Sequence, residues 1–131
     1  MVVGTRPEAI KMAPVVSALA RHAEDVETRV AFTGQHTELV DQVLTAFSME
    51  ADYDLAIMKD GQTLYDVVQR ALDGLRDAVR DFDTHMRLVQ GDTATVFAGA
   101  LVGFFEGVPV GHVEAGLRSG DKSAPYPEEV L

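Results

Sequence analysis

Apolar and polar residues alternate along the chain in blocks that predict strands and helices in turn. Short apolar runs with the length of buried strands occur at 1–5, 27–34, 86–90 and 108–114. Segments with apolar positions at helical spacing lie between them, at 6–21, 38–49, 63–82 and 94–106. This alternation is typical of a parallel sheet with helices on both faces, so the predicted fold class is α/β and Rossmann-like.

The clearest helix is predicted over 63–82, where apolar side chains form one stripe opposite the charges: Leu64, Val67, Val68, Ala71, Leu72, Leu75 and Val79. The first helix contains Pro14, which removes one backbone hydrogen bond and should bend it. Residues 51–62 have no regular pattern. A last helix is predicted to begin at Pro127 within a tail that otherwise reads as loop.

Polar residues follow each of the predicted strands. They are Thr5-Arg6, Gly34-Gln35-His36, Gly91-Asp92-Thr93 and Glu114. Ligands of open α/β sheets bind beyond the carboxyl ends of the strands. These loops should therefore gather at one edge of the sheet and form a site there.

The stretch "GTRPEAIKMAP" at 4–14 places three charges between an apolar strand and an apolar helix. Thr5 and Glu8 have the spacing of a capping box. Backbone N–H groups in such a turn suit an anion, and Arg6 and Lys11 would add positive charge. Spacing alone leaves two interpretations open, an anion site and a capped surface helix. The stretch is neither a Walker loop nor a GxGxxG fingerprint.

Three acidic residues are candidates for proton transfer. Asp92 follows a strand and precedes a helix, so it is either a helix N-cap or a functional group, which would act as a general base or hold one in place. Glu114 has small neighbours, so it is either a half-buried acid with a raised pKa or the ion-pair partner of Arg118. Glu128, taken alone, is an ordinary acid of a first helical turn.

Composition excludes several function classes. The 131 residues contain 21 acidic and 11 basic side chains, a formal net charge of −10, and no cysteine. The negative field disfavours nucleic acid and acidic membranes as partners, and thiolate chemistry is excluded. His36 and His112 could bind a ligand, although an isolated histidine is more often structural; the histidines lack metal-ligand spacing, so no metal is expected. A cytoplasmic location is the expectation.

Five segments, in this order, resemble the non-hydrolysing UDP-N-acetylglucosamine 2-epimerases: "GTRPEAIKMAP", "TGQH", "VQGDT", "VPVGHVEAGLRSGD" and "PYPEE". The resemblance implies the N-terminal half of a two-domain, GT-B-like enzyme. Such enzymes interconvert UDP-N-acetylglucosamine and UDP-N-acetylmannosamine by eliminating UDP and adding it back. It also implies a nucleotide sugar as the partner, no redox cofactor, and a homodimer of the full-length enzyme.

Site residues follow from the same resemblance. Asp92, Glu114 and Glu128 match the family's acid/base carboxylates, and Arg6 and Lys11 match its basic pair. Gln35 and His36 match a segment through which some bacterial members bind a second substrate molecule as an activator. Gly61 stands where the accompanying arginine would be, which weakens the prediction of an activator site.

We expect residues 1–131 to form the N-terminal Rossmann-like domain without the second domain, and to be inactive or nearly so alone. One alternative is a catalytically inactive remnant that keeps the fold and dimerises. Another is a domain of a hydrolysing epimerase that acts on the same substrate.

Overall fold

Strands and helices alternate in the computed structural model, which describes residues 1–34 and 40–131 in full and the backbone of residues 38 and 39. The described elements are β1 (Val2–Val3), α1 (Arg6–Ala20), β2 (Ala31–Phe32), α2 (Glu38–Ala46), β3 (Tyr53–Asp54), α3 (Leu64–Phe82), β4 (Arg87–Gln90), α4 (Ala94–Phe105) and β5 (Val110–Val113). The predicted order of elements is confirmed, with one strand added.

All strand pairs are parallel. β2 pairs with both β1 and β3, while β4 pairs with β5. The hydrogen-bonded pairs form a three-stranded and a two-stranded sheet, and β4 lies against β1, so the spatial order across both is β3-β2-β1-β4-β5. The strands keep one direction, but β2 and β3 lie on one side of β1 while β4 and β5 lie on the other. In doubly wound folds such a switch point opens a crevice at the carboxyl ends of the strands.

Side-chain alternation along the strands builds one core on each face of the sheet. Val2 and Ala31 belong to a core with α3 and α4, whereas Val3 and Phe32 belong to a core with α1 and α2. The helices pack in the same two pairs. Successive strand residues point to opposite faces, so two-residue strands suffice to supply both cores. The prediction of helices on both faces is confirmed.

Arg87 is a buried charge that the apolar pattern of β4 did not reveal. Its side chain is 4% exposed and donates to the carbonyl oxygens of Leu75 in α3 and Gly99 in α4, each at 3.1 Å. Burial lowers the pKa of the guanidinium to about 10. The side chain therefore joins β4 to both helices on its face.

Three details differ from the pattern-based prediction or extend it. Tyr53–Asp54 forms a strand within the segment expected to be irregular. α1 continues through Pro14 from Arg6 to Ala20. The helix expected at Pro127 is wrong, because residues 126–130 form turns.

Candidate functional site

The turn between β1 and α1 is closed by the carboxylate of Glu8. Its Oε2 accepts hydrogen bonds from the backbone N–H groups of Gly4 at 2.5 Å and Thr5 at 3.2 Å. The predicted capping box is present. Two N–H groups that we expected to be open to an anion are therefore already occupied. An anion at this helix terminus would therefore lack these two donors.

The second oxygen of Glu8 reaches another element. Oε1 accepts a hydrogen bond from the Thr93 hydroxyl at 2.8 Å, in the turn that precedes α4. Glu8 is 2% exposed. Burial raises the pKa of this carboxyl, although the hydrogen bonds that it accepts act in the opposite direction. One buried carboxyl thus connects the starts of two helices.

Lys11 and Glu114 form an ion pair between α1 and the residue that follows β5. The Lys11 ammonium donates a hydrogen bond to Glu114 Oε2, and Gln90 Nε2 donates to the same oxygen at 2.5 Å. The hydrogen bond from Lys11 lowers the pKa of Glu114. The expected raised pKa is wrong, because Glu114 is exposed and faces a cation. The alternative pairing with Arg118 is wrong too, since Arg118 donates to the carbonyl of Leu117.

Asp92 is not the helix N-cap. The N-cap of α4 is Thr93, whose hydroxyl oxygen accepts from Val96 N at 3.5 Å. Asp92 is exposed. Its carboxylate is therefore not used for capping, and its functional role stays a prediction.

Two adjoining cavities, each of about 240 Å³, lie beyond the carboxyl ends of β4 and β5. Both are lined by Asp92 and Glu114. Lys11, Glu8 and Gln90 belong to the first cavity, which we name the α1 cavity. The residues that line the second cavity also include His112 and Arg118. The loops after β1, β4 and β5 therefore meet at one edge of the sheet, which confirms the prediction for three of the four loops.

The structure separates the predicted site residues into two groups. It brings Lys11, Asp92 and Glu114 together around the α1 cavity. Arg6 is exposed and Glu128 is half-buried, and neither is among the described residues that line the two cavities. Gln35 and His36 lie outside the described residues.

The acid that follows Glu128 has a clear contact instead. Glu129 accepts hydrogen bonds from the backbone N–H groups of Ser119 at 2.7 Å and Gly120 at 2.9 Å. These contacts lower the pKa of its carboxyl. Glu129 thereby joins the C-terminal turns at 126–130 to the loop that follows β5.

Sequence reasoning missed the contacts of three polar residues at the site, although it named Thr93 at a strand end and His112 as a candidate for ligand binding. Gln90 is a polar residue at the end of a strand, next to Gly91-Asp92, and this position is a sequence signal for a site residue. Thr93 serves as cap and as donor to Glu8. His112 has its Nε2 2.6 Å from the carbonyl oxygen of Gly91, to which Nε2–H donates. The histidine thus links β5 to the loop that contains Asp92.

The described residues contain no cluster of three or more His, Asp or Glu side chains arranged to hold a metal ion. No helix in the described part of the chain combines the length and apolar character needed to span a membrane.

Comparisons with known proteins agree on one family. A family model described as UDP-N-acetylglucosamine 2-epimerase matches residues 18–131. Proteins of that name from Yersinia pestis and Escherichia coli K12 are each 52% identical over 128 residues, which is 98% of this chain and 34% of theirs. The chain thus spans about a third of the length of the curated relatives it matches.

Solved structures agree with the sequence matches. The Neisseria meningitidis UDP-GlcNAc 2-epimerase bound to UDP-GlcNAc superposes with a TM-score of 0.93 and 48% identity, over 98% of this chain and 34% of that one. The Methanocaldococcus jannaschii enzyme in complex with UDP-GlcNAc and UDP gives a TM-score of 0.88 and 32% identity, over 98% and 35%. The chain belongs to the UDP-N-acetylglucosamine 2-epimerase family.

Proposed function

We propose that these 131 residues form one wall of the active site of a UDP-N-acetylglucosamine 2-epimerase. The enzyme would interconvert UDP-GlcNAc and UDP-ManNAc by elimination and re-addition of UDP. One observation carries the proposal: Lys11 and Gln90 hold the carboxylate of Glu114 at a cavity that Asp92 also lines. Relatives solved with UDP-GlcNAc or UDP support a nucleotide sugar as the ligand.

Two carboxylates beside a cation match the chemistry of this reaction. Removal of the weakly acidic proton at C2 needs a positioned base, and epimerisation needs a proton delivered to the opposite face. The lowered pKa keeps Glu114 ionised at neutral pH, so its carboxylate can accept a proton, and the ion pair with Lys11 also makes it a weaker base. Lys11 would offset the negative charge of the departing diphosphate. The steps are redox-neutral, so no redox cofactor enters the proposal.

Two predicted residues complete the proposed set without lining the described cavities. Glu128 would act as the third acid/base carboxylate, and Arg6 would supply a second cation toward the diphosphate. Both would face substrate from the rim of the cleft, where the opposing wall would close on it. We also propose that the full-length enzyme is a homodimer, which light scattering would test.

The isolated 131-residue chain should turn over little or no substrate. The α1 cavity is open to solvent along the sheet edge, and its two ionic side chains Lys11 and Glu114 are 47% and 39% exposed. Catalysis of this kind needs water excluded and the leaving group oriented from both sides of a cleft. One wall would therefore bind the nucleotide weakly and fail to catalyse.

A chimera tests the proposal. Residues 1–131 replace the matching third of the Yersinia pestis relative, and the product is incubated with UDP-GlcNAc in D₂O. We expect UDP-ManNAc and deuterium at C2, as for the unaltered relative. A folded chimera that binds UDP without exchange at C2 would favour the inactive remnant. Release of free ManNAc and UDP would favour the hydrolysing reaction.

A further inference from the structure

Glu8 makes contacts beyond those of an ordinary capping box. A capping box satisfies N–H groups at the start of its own helix. The second capping box in the described chain, Thr63 and Asp66 at the start of α3, does only this: Asp66 accepts from the backbone N–H and the hydroxyl of Thr63. Glu8 performs the same task for α1 and also accepts from Thr93, 85 positions away.

The turns that Glu8 joins approach each other closely. A Cβ atom on Gly4 would lie 2.4 Å from Thr95 Oγ1 and 2.6 Å from Thr33 Oγ1, so only glycine fits there. Thr33 and Thr95 share a hydrogen bond of 2.7 Å beneath it. Glu8 therefore closes a junction that is already tightly packed, and a carboxylate that bonds through both oxygens leaves this junction little freedom.

The two turns that meet at this junction each lie next to a proposed catalytic group in the sequence. Lys11 lies one helical turn after Glu8 on α1, and Asp92 immediately precedes Thr93. We propose that Glu8 is a positioning residue: it fixes the turn before α1 against the turn before α4 and so sets the separation of Lys11 from Asp92 and Glu114. Its importance for catalysis rests on the proposed function, but the geometric claim does not.

The test compares Glu8→Ala with Asp66→Ala in the 131-residue chain. Both substitutions remove the carboxylate of a capping box, but only the first opens the junction. The readouts are the pKa of Glu114 from carboxyl-carbon NMR and the Kd for UDP from calorimetry. We expect Glu8→Ala to raise the pKa of Glu114 toward its ordinary value and to weaken UDP binding at least tenfold. Asp66→Ala should change neither.

A second pair of variants keeps the test decisive if Glu8→Ala does not fold. Thr93→Val removes both the bond to Glu8 and the N-cap of α4 with little change in volume, while Thr93→Ser retains both. The first should behave as Glu8→Ala, and the second as the unaltered chain. An unchanged pKa of Glu114 in folded Glu8→Ala or Thr93→Val would overturn the inference and leave Glu8 as a cap only.

The two proposals can fail separately. If the unaltered chain does not bind UDP measurably, the pKa of Glu114 alone decides on Glu8, and the chimera decides on the proposed function. If UDP binds but Glu8→Ala leaves both readouts unchanged, only the positioning role is wrong.

Discussion

Lys11 and Glu114 contact each other across 103 positions of the chain, joining the second turn of α1 to the residue after β5. Gln90, the last residue of β4, binds the same carboxylate oxygen. Three elements that converge at the switch point of the sheet thus share one interaction. The position matches the place where ligands bind in doubly wound folds.

Replacing Lys11 by Met should raise the pKa of Glu114, because the lysine hydrogen bond is the largest cause of its lowered value. The fold should persist, since both side chains are exposed and surface ion pairs contribute little to stability. NMR titration of Glu114 measures the shift, and calorimetry should show weaker binding of UDP. Lys59→Met, an equal loss of charge outside the cavity, is the control. Equal effects of the two substitutions would contradict a specific pair.

Much of the fold was predictable because the chain alternates clear strand and helix periods. β3 was missed because Tyr53 is half-buried and Asp54 is exposed, so this short edge strand leaves no apolar run. The loops around Asp92 and Glu114 were predictable from polar residues at strand ends. Their partners were not: no spacing rule connects Glu8 to Thr93, and the pKa of Glu114 depends on a lysine that only the folded chain brings near.

Asp92→Asn and Glu114→Gln in the chimera should each lower kcat by about 10²- to 10⁴-fold, the usual contribution of a general acid or base. Each amide keeps the shape of the acid but cannot exchange a proton. Turnover of UDP-GlcNAc measured by NMR checks this. Asp73→Asn, on the exposed face of α3, serves as the matched control. Activity within a factor of two of the unaltered chimera would remove that carboxylate from the mechanism.

The buried hydroxyl pair of Thr33 and Thr95 should be strongly coupled. Thr33→Val or Thr95→Val alone leaves the other hydroxyl buried without its partner, at a cost of roughly 1–3 kcal/mol of unfolding free energy. The double variant removes both polar groups, so its loss should be smaller than the sum. Urea unfolding of the two single variants and the double variant gives the three losses of unfolding free energy. Thr45→Val, at an exposed position, is the control. If the loss in the double variant equalled the sum of the two single losses, the hydrogen bond between the hydroxyls would contribute nothing to stability.

The contribution of Glu8 to the free energy of unfolding should fall as pH rises. Its folded pKa lies above the ordinary value of 4.5, so between those two values the folded state binds more protons than the unfolded state. The difference in unfolding free energy between the unaltered chain and Glu8→Gln should therefore decline from pH 4.5 upward and level off above the folded pKa.

Asp66→Asn serves as a comparison, because the contribution of Asp66 to stability should change with pH in the opposite direction. The hydrogen bonds from Thr63 lower the pKa of Asp66, so its contribution is present above the ordinary pKa and is lost as pH falls. Urea unfolding of the three proteins over a pH series checks both slopes. The same sign for Glu8 and Asp66 would contradict the burial of Glu8.

The central claim is that the α1 cavity binds a nucleotide sugar. It is tested most directly by titrating the ¹⁵N-labelled 131-residue chain with UDP-GlcNAc and mapping the amide shifts. We predict saturable shifts at Lys11, Gly91, Asp92 and Glu114, and none at His85 near the opposite ends of the strands. Shifts centred away from this cavity, or no saturable shift at all, would contradict the account.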